Sequence, residues 1–246
     1  MNTPRFFSSH ALPRPWTAAC RVALDETLVR HLHVLRVAIN DSITLFDGAG
    51  GEFSTTLVEL GKRNATVALL SFNAIERESP LQITLVQALA TSDKMDFIVQ
   101  KAVELGVTAI QPISTERATL KLSGERAEKR LAHWQAITRA ACEQCGRNRL
   151  PPVADVMTLE AWLVGHAVGM CAMLHPDAAT GLTHVYDGSQ PISLLIGPEG
   201  GFSPGEIALA AKHGVAPVRF GPRVLRTETA GLAAIAALNA RFGDLR

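Results

Sequence analysis

The sequence predicts an α/β protein of two domains: a small β-barrel-like domain, then a parallel sheet with helices on both faces. Up to about Ile75 the chain reads as short strands between glycine turns. From Leu81 strand-like runs alternate with helical periods, the pattern of a parallel sheet covered by its crossover helices. The polar ERESP segment, Glu76 to Pro80, separates the two textures, so domains are expected at 1–75 and 81–246.

A single helix interrupts the strands of the N-terminal region. Within DETLVRHLHVLR, Asp25 is placed to cap the helix, and Leu28, Leu32 and Leu35 recur at helical spacing. Strands are expected in DSITLFDG, GEFSTTLVELG and NATVALLSFNAI, with Gly48, Gly50, Gly51 and Gly61 supplying turns. In the C-terminal region LQITLVQAL is a continuous apolar run, as a strand buried on both faces requires. SDKMDFIVQKAVELG carries Met95, Ile98, Val99, Ala102, Val103 and Leu105 at helical spacing, and Gly106 can end it. VTAIQPI is strand-like again. A long helix is predicted over about 125–144 and a short one over 159–164; GMCAML, ISLLI and VRF complete the strands.

With 47% hydrophobic and 19% charged residues, the 246-residue chain can bury a real core and is not of disordered composition. A formal charge of +1 excludes a histone-like polycation. The charge is unevenly spread, however. Residues 94–150 carry ten Lys/Arg against six acids, whereas residues 1–80 carry eight of each. That excess reads either as a solvated helix face or as a place where an anionic partner is received. No apolar run resembles a signal peptide or reaches the roughly 18 residues of a membrane span. Four cysteines make no disulfide framework, and a cytoplasmic protein is expected.

The stretch LLIGPEGGFSPGEI, Leu194 to Ile207, runs from a strand through a glycine-rich loop into a helix. Ser203-Pro204-Gly205-Glu206 has the form of a capping box with proline at the first helical position. Ligands of open parallel sheets bind beyond the carboxyl ends of strands, where this loop sits. It is neither GxGxxG nor a P-loop, so it is suited to presenting peptide groups to a small polar ligand. Alone it reads more readily as a tight strand-to-helix turn. The next strand, however, leads into a second Gly-Pro loop, GPRVLRTETA, and adjacent strand ends could share one pocket. Arg223, Arg226, Thr227 and Glu228 then stand at its rim, and the Ala-rich helix that follows is apolar nearly all round, as a helix buried in the core or against a second subunit should be. CEQC, Cys142 to Cys145, lies late in a predicted helix without companion ligands, so no metal site is expected.

Four segments in order, DKMDFIVQKAVELGV, EQCGRNRLPPV, LLIGPEGGFSPGEI and GPRVLRTETA, resemble the signature of the RsmE family. PRFF and HLHVLR…DSITLFDGAG resemble that family's N-terminal domain, so the likeness spans nearly the whole chain. Phe220, where leucine is more usual, and Cys145, where a small residue is common, are slight departures. The resemblance implies a methyltransferase of the SPOUT superfamily acting on N3 of a uridine in small-subunit (16S) ribosomal RNA, in the assembled subunit. It implies a trefoil-knotted C-terminal sheet, which general connection rules would not predict. It further implies a PUA-like N-terminal barrel, a homodimer, and S-adenosylmethionine as cofactor.

On the same ground the donor would be held by Leu174, Ile196, Gly197, Pro198, Glu199, Gly200, Gly201, Phe220, Gly221, Leu225, Thr229 and Ala230. N3 of uridine is a poor nucleophile until its proton leaves, so a cation and a base would help. Arg226 is expected as the cation; Glu228 is the candidate base, although a glutamate in a first helical turn is more often a simple dipole partner. Arg147 and Arg149 would hold phosphate, with Lys94, Arg5 and Arg36 as further RNA contacts. Two other readings remain: a non-catalytic RNA-binding protein, for which glycine loops at strand ends have no use, and a dinucleotide oxidoreductase, which lacks its GxGxxG.

Overall fold

The computed structural model describes residues 3–18, 20–165 and 169–245. They form two compact units, Met1–Glu78 with Cys142–Leu150, and Ser79–Ala141 with Pro151–Arg246.

The first unit holds β1 (Arg5–Phe7), β2 (Arg21–Leu24), α1 (Glu26–Val34), β3 (Ser42–Phe46), β4 (Glu52–Leu60) and β5 (Ala65–Asn73). The sheet order is β1-β3-β4-β5-β2, with β1 parallel to β3 and the other neighbours antiparallel. Alternation does the sorting: Phe53, Thr55 and Leu57 of β4 point inward while Ser54 is exposed. Asp25 caps α1 by accepting from the Leu28 N–H at 2.9 Å. The helix packs Leu28, Val29 and Leu32 into a core with Ile43, Leu45 and Phe53. Leu35, expected on the same face, is exposed: the helix ends at Val34, and the chain then turns through Arg36 at φ 55°.

The second unit holds β6 (Ile83–Ala88), α2 (Ser92–Glu104), β7 (Ala109–Ser114), β8 (Met157–Thr158), α4 (Leu159–Gly165) and β9 (Met170–Leu174). It continues with α5 (Leu182–Val185), β10 (Ile192–Ile196), α6 (Pro204–Lys212), β11 (Ala216–Val218) and α7 (Thr227–Phe242). The long helix α3 (Gly124–Cys145) matches the expected span, and only its last turn belongs to the first unit. The sheet runs β11-β9-β10-β6-β7-β8 with every neighbouring pair parallel. The expected VRF strand stops at Val218, which pairs with Leu174, the last residue of β9. Beyond that point only an isolated bridge of Arg219 with Gly181 continues the ladder, and Phe220 belongs to a loop.

Helices cover both faces because strand side chains alternate. Val86, Met173 and Leu195 face α4 and α6, packing with Leu159, Trp162 and Ala210. Leu85 and Ile196 point the other way and meet α7. There Gly231 lets helix and sheet approach closely: a β-carbon on it would lie 3.0 Å from Leu85 Cδ1 and 3.2 Å from Ile196 Cγ1. Gly231→Val is therefore expected to cost about 1–3 kcal/mol by overpacking, read as a lower melting temperature. An unchanged melting temperature would show that α7 yields there at no cost. The apolar circumference of α7 divides within the chain: Gly231, Ala234, Ile235 and Leu238 are buried, while Leu232, Ala233, Ala236 and Ala237 are half-buried.

Candidate active site

Because β6, β10 and β9 are parallel neighbours, their carboxyl ends open on one side of the sheet, with Ile196 level with Gln87. A cavity of about 590 Å³ lies there, within the usual size of a small-molecule site. Its walls include Leu174 to Asp177 after β9, Ile196 to Phe202 after β10, and Val224 to Thr227 with Ala230 before and within α7. A smaller hollow of about 70 Å³ shares Leu174, Leu225 and Ala230 with it and adds Phe220 and Gly221. Both glycine loops thus converge on one place.

The 197–201 loop is held from several sides. The Thr227 hydroxyl, buried at the start of α7, donates to the Gly197 carbonyl at 2.6 Å and accepts from the Gln87 amide at 2.9 Å. Arg117 donates to the Gly200 carbonyl at 3.1 Å. Inside the loop, a β-carbon on Gly197 would come within 3.2 Å of the Phe202 ring, and Gly201 sits at φ +66°, a left-handed backbone that favours glycine. The capping box forms as the spacing predicted: the Glu206 N–H donates to Ser203 Oγ at 3.1 Å, and Ser203 N–H to Glu206 Oε2 at 2.8 Å. Glu206 Oε1 also accepts from the Glu116 N–H, tying α6 to the loop after β7.

Lys94, in the first turn of α2, joins three elements. Its ammonium lies 3.1 Å from Glu199 of the glycine loop and 3.4 Å from Glu228 of α7. The hydrogen bond to Glu199 raises the Lys94 pKa, so the group stays charged at neutral pH and is no base there. Burial alone would push the Glu199 carboxyl up; its own backbone N–H, Lys94 and the Thr91 N–H more than offset this and hold it below the usual range.

Residues 77–239 match the RNA methyltransferase domain family, and residues 24–70 match the RNA methyltransferase PUA domain family. The ribosomal RNA small subunit methyltransferase E of Buchnera aphidicola subsp. Schizaphis graminum is 34% identical over 226 residues, 91% of this chain and 92% of its own. A crystal structure of the methyltransferase E of Neisseria gonorrhoeae, bound to S-adenosyl methionine, covers 100% of both chains at 43% identity and a TM-score of 0.94. The chain belongs to the RsmE family of RNA methyltransferases. A methyltransferase structure from Legionella pneumophila in complex with the cofactor SAM also covers 100% of both chains, at 36% identity and a TM-score of 0.93.

Within this RsmE family member the expected donor residues divide. Leu174, Ile196, Gly197, Pro198, Glu199, Gly200, Gly201, Leu225 and Ala230 line the main cavity, and Phe220 and Gly221 line the hollow beside it. Thr229 lines neither and is exposed, because the first helical turn rotates it away from Thr227. Arg226 lines the cavity and is exposed, and its guanidinium makes no hydrogen bond or ion pair with any described residue. Glu228 stands apart from the cavity wall. Its Oε2 is enclosed and lies 3.4 Å from the Lys94 ammonium.

Lys94, expected at RNA phosphate, is part of the cavity wall. Arg5 and Arg147, expected at phosphate, are turned inward in the first unit. Arg147 is 4% exposed and bonded to Glu78, its Nε lying 3.1 Å from Oε2. Arg5 donates to the Arg147 carbonyl at 2.9 Å, pairs with Glu52 at 3.4 Å and covers the Phe46 ring. Arg36 and Arg149 remain exposed. The sequence reading missed Gln87, Arg117 and the His175–Asp177 segment. The strand-end rule applied to β9 would have found the last.

The CEQC cysteines lie at the end of α3. Burial pushes the Cys142 thiol up to about 12, leaving it without nucleophilic thiolate at neutral pH. Among the described residues no three His, Cys, Asp or Glu side chains gather as metal ligands. No helix among them is long and apolar enough to cross a membrane.

Proposed function

We propose that this protein methylates N3 of a uridine in small-subunit ribosomal RNA, taking the methyl group from S-adenosylmethionine and acting on the assembled subunit. Methyltransferase chemistry on ribosomal RNA follows from the family. The atom and the assembled state are the finer reading. The observation that carries it is the cavity at the strand ends, with a fixed glycine loop on one side and an unpaired arginine at its rim.

The residues present fit the donor. Leu174, Ile196 and Leu225 supply apolar wall for a purine, and the tight glycine loop leaves its peptide groups approachable. Bound there, S-adenosylmethionine supplies a methyl group on a sulfonium whose departure leaves a neutral thioether. The chain's own contribution is alignment, which can be worth several kcal/mol without covalent chemistry. Thr227 and Arg117 fix the loop; Arg226 stabilises negative charge spreading over the uracil carbonyls as the N3 proton is lost to solvent water. Lys94 with Glu199 and Glu228 is a clamp of three elements, so Glu228 acts by positioning. Glu228→Gln is expected to lower turnover less than about fivefold and to keep the wild-type pH profile. A loss of about 100-fold or more that disappears at high pH would restore Glu228 as the base.

A homodimer and the trefoil-knotted path complete the proposal. The half-buried apolar face of α7 and the exposed Val224 and Phe97 support a partner subunit. Methyl transfer from labelled donor is expected with unmodified small subunits and not with naked transcript. Equal transfer to both would overturn the assembled-subunit reading.

A further inference from the structure

The positive excess between residues 94 and 150 has a location that the methyl-transfer cavity does not absorb. A separate cavity of about 430 Å³ in the second unit is walled by the 120–122 loop, the start of α2 and one side of α3. Lys121, Arg126, Lys129, Arg130 and His133 line it together with Ser92. α3 brings its cations together by spacing: positions 126, 129, 130 and 133 recur every three or four residues and so share one face.

Charge compensation there is incomplete. Glu125 pairs with Lys129 at 2.7 Å, and Asp96 faces both Arg130, at 3.7 Å, and His133, at 2.8 Å. The Arg130 guanidinium is further oriented by donating to the Ser92 hydroxyl. Lys121 donates only to the Thr115 carbonyl, and Arg126 makes no ion pair with any described residue. Two cations therefore exceed the acids, in a concave site beside the positive end of α2. That is the chemistry of a phosphodiester.

Its placement says which phosphodiester. The cavity shares two elements with the methyl-transfer cleft. Ser92 lines one and Lys94 the other, two residues apart and so within about one helical turn; the loop after β7 gives Arg117 to the cleft and Leu120 to Leu122 to the basic cavity. A strand that delivers a base to the cleft must pass its backbone over this ground.

We propose that this cavity binds the RNA backbone flanking the target nucleotide and sets its register in the cleft. The inference rests on the RNA-substrate reading above, and binding is measured apart from methyl transfer so that the two can fail separately. The variant Arg126→Gln/Lys129→Gln alters exposed side chains and breaks the surface pair of Lys129 with Glu125, a loss small enough for a nearly unchanged melting temperature to verify. Binding to unmodified small subunits is followed across salt concentrations. The logarithmic salt slope is expected to fall by about 0.7 per lost phosphate contact, roughly 1.4 in all. KM for subunits should rise about tenfold or more, with donor affinity and kcat kept. Arg126→Lys/Lys129→Arg should restore the slope. A wild-type slope in the neutral variant overturns the proposal. Binding with the predicted slope change but no methyl transfer by the wild type would uphold it and sink the methylation reading instead. Orthophosphate should compete no better than chloride at equal ionic strength; selective competition would mark a free-phosphate site and overturn the assignment to RNA.

Discussion

Arg226→Ala is expected to lower kcat for methyl transfer roughly 100- to 1,000-fold, the usual effect of removing a group aimed at developing charge. Arg226 lines the cavity beside Thr227, is exposed, and has no partner among the described residues, so its charge is free for a substrate. Its side chain has no part in the helix cap; its backbone carbonyl accepts the first bonds of α7, from the Thr229 and Ala230 N–H groups. Stability should therefore change by no more than about 0.5 kcal/mol. Donor affinity should stay within a few-fold, separating loss of chemistry from loss of binding. Arg226→Lys should recover only some of the rate, since it keeps the charge and loses the planar fork. A kcat close to wild type in Arg226→Ala would remove Arg226 from the reaction.

Thr227→Val should damage donor binding and stability together. The hydroxyl is buried between the Gly197 carbonyl and the Gln87 amide, and valine can replace neither bond. The Gln87 amide keeps its bond to the Ala88 carbonyl at 3.0 Å, so the Gly197 carbonyl is the group that loses its partner. Each buried polar group left unpaired costs about 1–3 kcal/mol. At about 2 kcal/mol in all, a chain of this size should melt roughly 4–8 °C lower. Released from Thr227, the glycine loop should bind S-adenosylmethionine about tenfold or more weakly, whereas Thr227→Ser keeps the hydroxyl and most of the affinity. Wild-type melting and wild-type donor affinity in Thr227→Val would show that the bridge does not shape the site.

What the sequence made legible is local. Asp25 and the Ser203–Glu206 box announce helix starts because a cap needs a side chain at fixed spacing. The two glycine loops announce the cavity because ligands gather where parallel strands end. What it concealed depends on distant partners. Lys94 reads as a free cation until Glu199, over a hundred residues later, is seen beside it. Arg147 reads as a surface arginine until Glu78 and Arg5 enclose it. The segment Cys142–Leu150 reads as belonging to the second domain, yet packs with the first unit. β8 and α5 are too short to show a period, and Thr229 differs from Thr227 only by the rotation of a helical turn.

The most direct test is nucleoside mass spectrometry of ribosomal RNA after unmodified small subunits are incubated with the protein and labelled S-adenosylmethionine. The predicted result is labelled N3-methyluridine at one position, lost in Arg226→Ala. Label on another atom, a ribose hydroxyl or a different base, would contradict the proposed acceptor and the role given to Arg226.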